Sequence, residues 1–524
     1  MTWWKHAVCY QIYVRSFADG DGDGVGDLPG ITARLDHLAG LGVDAVWITP
    51  FYTSPQHDHG YDVADYRDVD PLFGSLADFD ALLAHAHDLG IRVIVDLVPN
   101  HTSNEHEWFE AALAAAPGSP ERARYLFRDS TTDGPPNNWE SVFGGPAWTQ
   151  VPDGQWYLHL FDTSQPDLDW RNPEVSAMFA DVLRFWLDRG VDGFRIDVTH
   201  GLFKEESLPD QQLTAAERAA MAAQDLIGPT HPAHEPMWDQ PEVHGVYRAW
   251  RRILDSYAGG RMAVGEAWTR DAESLARYIR PDELNQSFNF HWLSAPWSAK
   301  AFAEVIRNTL AAVQPVGASP TWVLSNHDVV RHPTRYGGGE VGLARARAAT
   351  MAMLALPGSS YLYQGEELGL EEVDVPPEAW QDPQAGVQGK TTRDGCRVPL
   401  PWSGDRPPHG FGPSTSQPWL PQPSGWESVS VAAQEHDPES TLAFYRRALA
   451  TRRGFAETAG DVVELLDLGD DLLAFRRGPV TVVVNCGSAP ASLPAGRITL
   501  ASGPVTDELP PDTAVWVVDP EAGV

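Results

Sequence analysis

The 524-residue sequence predicts an α/β fold, a closed (β/α)8 TIM barrel with an inserted domain after its third strand and a C-terminal antiparallel β-sandwich. Three segments, 41–50, 89–100 and 189–198, share one pattern, in which a helix ends at a glycine and a short β-branched run follows. Helices and buried strands that alternate along a chain form parallel sheets, so this pattern predicts repeated βα units.

Five further apolar runs bring the number of expected strands to eight. Parallel strands that are buried on both faces read as continuous apolar runs, and a closed barrel is the simplest arrangement for eight of them. The five runs are residues 7–14, 262–268, 286–292, 321–326 and 359–365.

Local signals set the limits of the helix that precedes the strand in 89–100. Ser75 and Asp78 have the spacing of a capping box, which predicts the start of a helix. Gly90 predicts its end, because glycine readily takes the left-handed conformation that follows a helix.

Irregular composition divides the chain into domains. A stretch rich in Pro, Gly, Asn and Trp predicts an inserted domain at 100–170. Alternating apolar segments follow an expected helix at 440–455 and predict a small C-terminal β-domain at 455–524. The predicted barrel comprises 1–99 and 171–454, and its long irregular excursions lie at 200–245 and 400–426.

Composition restricts the partners and the compartment. A formal net charge of −34 repels nucleic acids and anionic membranes, whereas a small neutral oligosaccharide is compatible with it. The 3 cysteines supply no disulfide framework, and neither a secretory signal nor an apolar run of membrane-spanning length is evident. We therefore expect a cytoplasmic monomer or homodimer that binds neither nucleic acid nor membranes.

Acidic side chains follow the ends of several predicted strands. Asp96, Asp197, Glu266 and Asp328 stand at the ends of strands three, four, five and seven. The carboxyl ends of barrel strands meet at one mouth, so these groups are expected to converge there. Cleavage of a glycosidic bond needs an acid to protonate the leaving oxygen and a carboxylate on the opposite side of the sugar, so this set predicts a glycoside-cleaving site.

The same segments carry a resemblance to a known family. DLVPNH (96–101), GFRID (193–197), GEAW (265–268) and SNHD (325–328) resemble the four conserved motifs of the α-amylase family, glycoside hydrolase family 13. QPDL (165–168) resembles a fifth motif of its α-glucosidase and oligo-1,6-glucosidase branch. The resemblance implies a retaining, exo-acting α-glucosidase that releases terminal non-reducing α-1,4- or α-1,6-linked glucose from short oligosaccharides through a covalent β-glucosyl-enzyme. A transglucosylase, or a sucrose- or trehalose-converting enzyme that uses the same intermediate, is the alternative.

The resemblance also implies roles for individual residues. Asp197 matches the nucleophile, Glu266 the general acid/base and Asp328 the third carboxylate, which binds sugar hydroxyls. Arg195 is expected to orient Asp197 and to keep it ionised. The remaining residues implied to surround the bound glucose are His101, His327, Tyr61, Asp62, Phe161 and Val198.

Two of these residues bear on specificity. Valine at the position of Val198 accompanies α-1,6 activity in the family. Asp62 is implied to cap the far end of the glucose, paired with Arg393 of the segment TTRDGCRVPLPW, in which Arg397 is the alternative partner. An Asp62–Arg393 pair would close the pocket beyond the sugar, and this predicts exo action.

An acidic, glycine-rich run near the N-terminus predicts a metal site. Its carboxylates alternate with glycines, as in calcium loops, and a backbone carbonyl can complete the shell. It also resembles the calcium loop of the α-glucosidase branch. A structural Ca²⁺ is expected, with Mg²⁺ as the alternative, bound by Asp19, Asp21, Asp23, Val25 and Asp27.

Overall fold

The computed structural model describes residues 2–129, 134–212, 235–387 and 391–518. Parts of the predicted inserted domain, of the excursion at 200–245 and of the C-terminal domain lie outside the described residues, at 130–133, 213–234 and 519–524. Within the described ranges, no helix is both long enough and apolar enough to span a membrane.

The strands in the described residues are, in chain order, β1 (Val8–Ile12), β2 (Ala45–Ile48), β3 (Tyr52–Thr53), β4 (Asp65–Val69), β5 (Arg92–Leu97), β6 (Phe127–Arg128), β7 (Trp148–Gln150), β8 (Trp156–Leu158), β9 (Gly193–Ile196), β10 (Met262–Gly265), β11 (Gln286–Ser287), β12 (Thr321–Val323), β13 (Ser359–Tyr363), β14 (Glu464–Leu466), β15 (Leu472–Arg477), β16 (Val480–Asn485), β17 (Ala491–Ser492), β18 (Arg497–Ala501), β19 (Glu508–Leu509) and β20 (Thr513–Val518).

The α-helices in the described residues are Val14–Phe17, Leu28–Thr32, Leu35–Leu41, Leu76–Asp88, Glu107–Ala114, Pro173–Arg189, Val243–Asp255, Ala272–Tyr278, Phe290–Leu293, Ala299–Val313, His332–Arg335, Gly339–Ala355, Asp394–Arg397, Val431–Gln434 and Thr441–Arg453. The helix Leu76–Asp88 begins with the predicted capping box, in which the side chains of Ser75 and Asp78 each accept a hydrogen bond from the other's backbone N–H. Gly90 follows the helix with a φ of 76°, as predicted.

Eight parallel strands form a nearly closed barrel, which confirms the predicted fold class. Their hydrogen-bonded order is β11-β10-β9-β5-β2-β1-β13-β12. The register places Asp96 of β5 directly beside Arg195 of β9, and Ile196 beside Gly265 of β10. The residues that follow these strands are therefore brought together at the carboxyl end of the barrel.

The predicted strand at 286–292 is wrong beyond its first two residues. β11 ends at Ser287, and Phe290–Leu293 is a helix whose first turn is capped by the Asn289 side chain, which accepts a hydrogen bond from the Trp292 amide. Because a side-chain cap satisfies a helix N-terminus, this cap competes with extension of the strand. In the part of the chain that the structure describes, β11 and β12 do not pair, so the barrel is open by this one seam.

The C-terminal strands form the predicted antiparallel layers. A five-stranded sheet in the order β14-β15-β16-β20-β18 is accompanied by the two-stranded ribbon β17-β19. Leu509 of the ribbon packs with Val483 and Val515 of the sheet. The other face meets the barrel helix Gly339–Ala355, where the Trp516 indole donates a hydrogen bond to the Met351 carbonyl at 3.1 Å.

The chain between β5 and the helix Pro173–Arg189 forms a separate three-stranded sheet, β6-β8-β7. Isolated bridges between His101 and Asp167 and between Tyr125 and Leu168 fasten the two ends of this insertion together at the barrel mouth. Its apolar cluster includes Phe161 and also Val198 of the barrel. The insertion therefore forms one wall above the carboxyl ends of the strands.

Candidate active site

Arg195 holds three carboxyls at the barrel mouth. Its Nη1 donates to Asp96 at 3.0 Å and to Asp197 at 2.5 Å, and its Nη2 lies 2.9 Å from Glu266 Oε2. All four side chains are buried. The guanidinium also stacks over the Trp47 ring, with Cζ 5.0 Å from the ring centre. The predicted contact between Arg195 and Asp197 is therefore present, but Arg195 is shared.

Because Arg195 is shared, it does not hold the pKa of Asp197 below its ordinary value as the sequence analysis predicts it would. Burial raises the pKa of Asp197; Arg195 opposes that rise, and the nearby Glu266 and Asp96 add to it. Burial likewise raises the pKa of Asp96 to about 6, against the effect of Arg195. One guanidinium cannot neutralise three carboxyls in a buried site, so Asp197 and Asp96, whose pKa values are both raised, favour retention of a proton in the group. Arg195 alone does not keep Asp197 ionised.

Glu266 is fixed through both of its carboxyl oxygens. Oε2 accepts a hydrogen bond from the Val198 amide at 3.0 Å, and Oε1 accepts one from the Trp268 indole at 3.0 Å. Val198 has a φ of 46°, a left-handed conformation that is rare for a β-branched residue and is retained only where the surroundings enforce it. Its amide is thereby directed at the carboxyl. Asp197 lies within hydrogen-bonding reach of the same group.

Asp328 lies between two arginines and a histidine. Its Oδ1 accepts hydrogen bonds from Arg393 and Arg397, both at 3.0 Å, and its Oδ2 lies 3.3 Å from His327 Nε2. Burial alone would raise the pKa of Asp328, but the positive charges of Arg393 and Arg397 hold it below its ordinary value. Asp328 is therefore ionised, whereas the group around Arg195 retains a proton.

The predicted aromatic and histidine residues line the same pocket. The Tyr61 ring stacks on His327 with 5.3 Å between the ring centres, and its hydroxyl donates to Asp96 at 3.1 Å. The Phe161 ring lies 5.3 Å from His101. Burial lowers the pKa of His101 to about 4 and also lowers that of His327. Both imidazoles are therefore neutral, and each can donate and accept a hydrogen bond.

The predicted pairing of Asp62 with an arginine is wrong. The Asp62 carboxylate accepts the backbone N–H groups of His57 and Asp58, both at 2.9 Å, and thus caps the turn 57–62. Asp58, on the same turn, takes the predicted position instead, 3.1 Å from Arg393 Nη2. Of the two arginines considered, Arg393 is the partner of this turn.

The sequence analysis did not identify two further residues beside Asp58 and Arg393, which are Gln165 and Asp382. Asp382 accepts from Arg393 Nη2 at 2.7 Å, and the Gln165 amide donates to Asp58 at 3.0 Å. Burial raises the pKa of Asp58 to about 6, against the effect of Arg393. Gln165 stands in the quoted QPDL motif and could have been assigned from it. Asp382 lies in an irregular segment with no motif around it, so the sequence offered no signal for it.

The acidic run near the N-terminus brings three carboxylates together. Oxygen atoms of Asp19, Asp21 and Asp27 lie within 4.8 Å of one another, and this donor set suits a hard cation that prefers oxygen ligands. The predicted Asp23 is not part of this group, and its Oδ1 accepts a hydrogen bond from the Val25 amide at 2.8 Å.

The Pro-rich excursion at 400–426 packs against this acidic loop. The Trp419 amide donates to the Gly24 carbonyl at 3.0 Å, and the Asp19 amide donates to the Phe411 carbonyl at 2.8 Å. A Cβ on Gly24, whose φ is 97°, would lie 2.0 Å from the Gln417 carbonyl oxygen. Glycine is therefore required here by both space and conformation.

Three buried carboxyls surround Arg195 at the ends of adjacent barrel strands, and a fourth carboxylate, Asp328, lies between two arginines. This arrangement defines the class: the protein is a glycoside hydrolase. Its family is shown by a match to the catalytic domain of α-amylase over residues 11–458. The chain belongs to the α-amylase family, glycoside hydrolase family 13.

Relatives and solved structures agree with this membership. A probable α-glucosidase from Rhizobium meliloti (strain 1021) is 42% identical over 496 residues, which cover 92% of this chain and 88% of that protein. An oligo-1,6-glucosidase from Heyndrickxia coagulans is 36% identical, over 88% of this chain and 87% of that protein. The crystal structure of XgtA, an α-glucosyl transfer enzyme, superposes with a TM-score of 0.90 at 39% identity and covers 99% of this chain and 100% of that one.

A change at Asp96 tests the shared proton. Asp96→Asn removes one negative charge, and Asp197 then becomes the only carboxylate that Arg195 Nη1 contacts. The pKa of Asp197 should therefore fall. If Asp197 is the nucleophile that the resemblance implies, it must be ionised, so activity is lost as pH falls through that pKa. We expect the acid limb of the kcat/KM profile to move to lower pH by about one unit.

The matched control is Asp192→Asn, which changes a buried aspartate that binds Arg261 at 2.8 Å one residue before β9 begins. It should leave the acid limb in place. An acid limb that stays fixed in Asp96→Asn, or moves to higher pH, would contradict charge sharing around Arg195.

Proposed function

We propose that the protein is a retaining, exo-acting α-glucosidase that acts on short oligosaccharides. The single observation that carries the proposal is that Asp197 and Glu266 bind adjacent nitrogens of one guanidinium and lie within hydrogen-bonding reach of each other. Inverting glycosidases separate their carboxyls by roughly 6.5–9.5 Å to admit a water molecule, whereas retaining enzymes hold them about 5 Å apart. The closeness of these two carboxyls favours the retaining reaction.

The proposed reaction has two steps. Asp197 attacks the anomeric carbon of the terminal glucose while Glu266 donates its proton to the departing oxygen, so the glycosidic C–O bond breaks and a β-glucosyl ester forms. Glu266 then takes a proton from water, whose oxygen attacks the same carbon and releases Asp197. Two inversions at one carbon give α-glucose.

Exo action is supported by the wall beyond the glucose. Gln165 and Arg393 both donate hydrogen bonds to Asp58 there, and Arg393 also donates to Asp382. Their polar atoms can bind hydroxyls of a terminal sugar, while a chain that continued past them would collide with buried side chains. The binding energy therefore depends on a non-reducing end.

Linkage preference is proposed from the position of Val198. This residue follows Asp197 and packs with the insertion, next to the carboxyl that protonates the leaving group. Together with the match to an oligo-1,6-glucosidase, it supports action on isomaltose as well as maltose.

Transfer to a sugar acceptor is the second candidate function. It is supported by the likeness to XgtA and to the trehalulose synthase MutB from Pseudomonas mesoacidophila MX-45, at 31% identity and a TM-score of 0.87, with 99% of each chain covered. Both reactions use the same glucosyl-enzyme and differ in what intercepts it. Product analysis with and without an added acceptor sugar distinguishes them, because a transferase yields little free glucose when acceptor is present.

The retaining mechanism is tested by anomeric analysis and by Asp197→Asn. Nuclear magnetic resonance during the first minutes of maltose hydrolysis should show α-glucose from the non-reducing unit. Asp197→Asn should lose several orders of magnitude in kcat because no covalent intermediate can form. Appearance of β-glucose first, or substantial turnover by a folded Asp197→Asn, would rule out the proposal.

Exo action is tested by a pair of substitutions in one turn. Asp58→Asn should lower kcat/KM on maltose by about a hundredfold or more, since it leaves the buried Arg393 without one of its carboxylates. Asp62→Asn, the matched control, removes a cap of the same turn and should lower Tm more than it lowers activity.

The wild-type protein should release glucose from soluble starch slowly and without rapid loss of viscosity. Early maltotriose and longer products would indicate a cleft open at both ends and would contradict the role of Asp58.

We also propose that the acidic loop binds Ca²⁺, with Mg²⁺ as the alternative. Asp19, Asp21 and Asp27 would supply the carboxylate ligands. The ion would stabilise the loop and the Pro-rich excursion packed on it, and it takes no part in the reaction.

Chelation tests the metal. Removal of divalent ions should lower Tm, and Ca²⁺ should restore it, because a ligand bound by the folded state alone stabilises that state by mass action. Asp21→Asn should weaken this response without changing kcat. Elemental analysis that finds no divalent ion in protein purified with Ca²⁺, together with a Tm unaffected by chelator, would contradict the site.

A further inference from the structure

Trp268 lies two residues after Glu266 and is half-buried at the barrel mouth. Its indole Nε1 donates a hydrogen bond to Glu266 Oε1 at 3.0 Å. The other carboxyl oxygen, Oε2, is held by the Arg195 guanidinium at 2.9 Å and by the Val198 amide at 3.0 Å. The two oxygens therefore have different surroundings: a cation and an amide at Oε2, and a neutral indole at Oε1.

The indole is itself held in place. Its ring stacks face to face on Phe290, with 3.8 Å between the ring centres and 13° between the planes. Phe290 is the first residue of the short helix that replaces the end of the predicted sixth strand, and Asn289 caps that helix. The interruption of the strand thus places an aromatic platform beneath Trp268 and fixes the direction of its N–H.

We propose that Trp268 is a positioning residue for the acid/base carboxyl; this inference rests on the proposed role of Glu266. A carboxyl oxygen offers two lone-pair directions in the plane of the group. The indole N–H occupies one direction at Oε1, so the transferable proton takes the other and is aimed at the leaving oxygen. Oε2, which accepts hydrogen bonds from the Arg195 guanidinium and the Val198 amide, is then the carbonyl oxygen of the protonated carboxyl.

The same hydrogen bond assists the proton transfer. As the C–O bond breaks, the proton moves from Oε1 to the departing oxygen, and charge develops on Oε1 next to the indole N–H. A hydrogen bond to a charged acceptor is stronger than one to a neutral acceptor, so the contact favours the state after transfer. The benefit is largest for leaving groups that cannot depart without a proton.

Other titratable or charged groups also face Glu266. Arg195 and Asp197 contact its carboxyl, Asp96 acts through Arg195, and the His200 ring reaches its backbone. Substitution of Trp268 leaves all of these in place. A shift in pH dependence after such a substitution therefore reports the loss of the indole N–H.

The test is Trp268→Phe, which keeps a ring to stack on Phe290 and removes the N–H. We expect kcat/KM on maltose to fall roughly 10- to 100-fold, the range for loss of a hydrogen bond to a charged group. On 2,4-dinitrophenyl α-glucoside, whose leaving group needs no proton, the change should stay within about threefold. The alkaline limb of the maltose profile should move to higher pH, because a donor that favours the ionised carboxyl is lost.

Trp297→Phe is the matched control. Trp297 is also half-buried, donates from Nε1 to a carboxylate, Asp512, at 2.9 Å, and packs beside aromatic rings, but it lies against the C-terminal domain. It should leave both substrates and the pH profile unchanged. Phe290→Leu is a second variant, which keeps the N–H but removes the platform, and it should show the same substrate dependence with a smaller loss.

Equal losses on both substrates in Trp268→Phe, with the alkaline limb unmoved, would show a merely structural role and overturn the inference. If Trp268→Phe does not fold, Phe290→Leu is measured instead, and equal losses on the two substrates would again overturn the inference. Glu266→Gln is measured in parallel. Equal loss on both substrates in Glu266→Gln would refute its role as acid/base, whereas a substrate dependence there that Trp268→Phe lacks would refute the positioning role alone.

Discussion

The arrangement of the site depends on one constraint: a single buried guanidinium serves three carboxyls. Arg195 is surrounded by Asp96, Asp197 and Glu266, and charge balance then requires that a proton remain among them. A general acid needs such a proton at neutral pH, and a nucleophile needs to be free of it. The shortage of positive charge around Arg195 leaves a proton among the three carboxyls, as the proposed general acid requires. The neighbouring Asp328, which two arginines contact, is kept ionised.

The sequence was sufficient for the parts of this site that follow regular strands. Asp96, Asp197 and Glu266 were predicted because each stands at or just after the end of a buried strand, and parallel register brings such positions together. The fold class was predictable for the same reason, since apolar runs and glycine stops repeat along the chain. Here local pattern and tertiary arrangement agree.

The wrong predictions, at Asp62 and at 286–292, lie where side-chain hydrogen bonds to the backbone determine the local structure and the sequence pattern does not. Asp58 and Asp62 share one short turn, and which carboxylate caps the backbone and which reaches Arg393 is decided by the path of that turn. At 286–292 the apolar run reads as a strand, yet the Asn289 cap begins a helix. The shared proton could not be foreseen either, because it depends on how many carboxyls reach one arginine.

The packing of the acidic loop against the Pro-rich excursion also has a consequence for biosynthesis. Strand β1 pairs with β13 on one side, and Gly24 rests against Gln417, so these contacts form only when residues near 360 and 417 have been made. At 5–20 residues per second this delay is roughly 20–80 s. Until those contacts form, the acidic loop lacks this covering, and its like charges disfavour its association with other acidic chains.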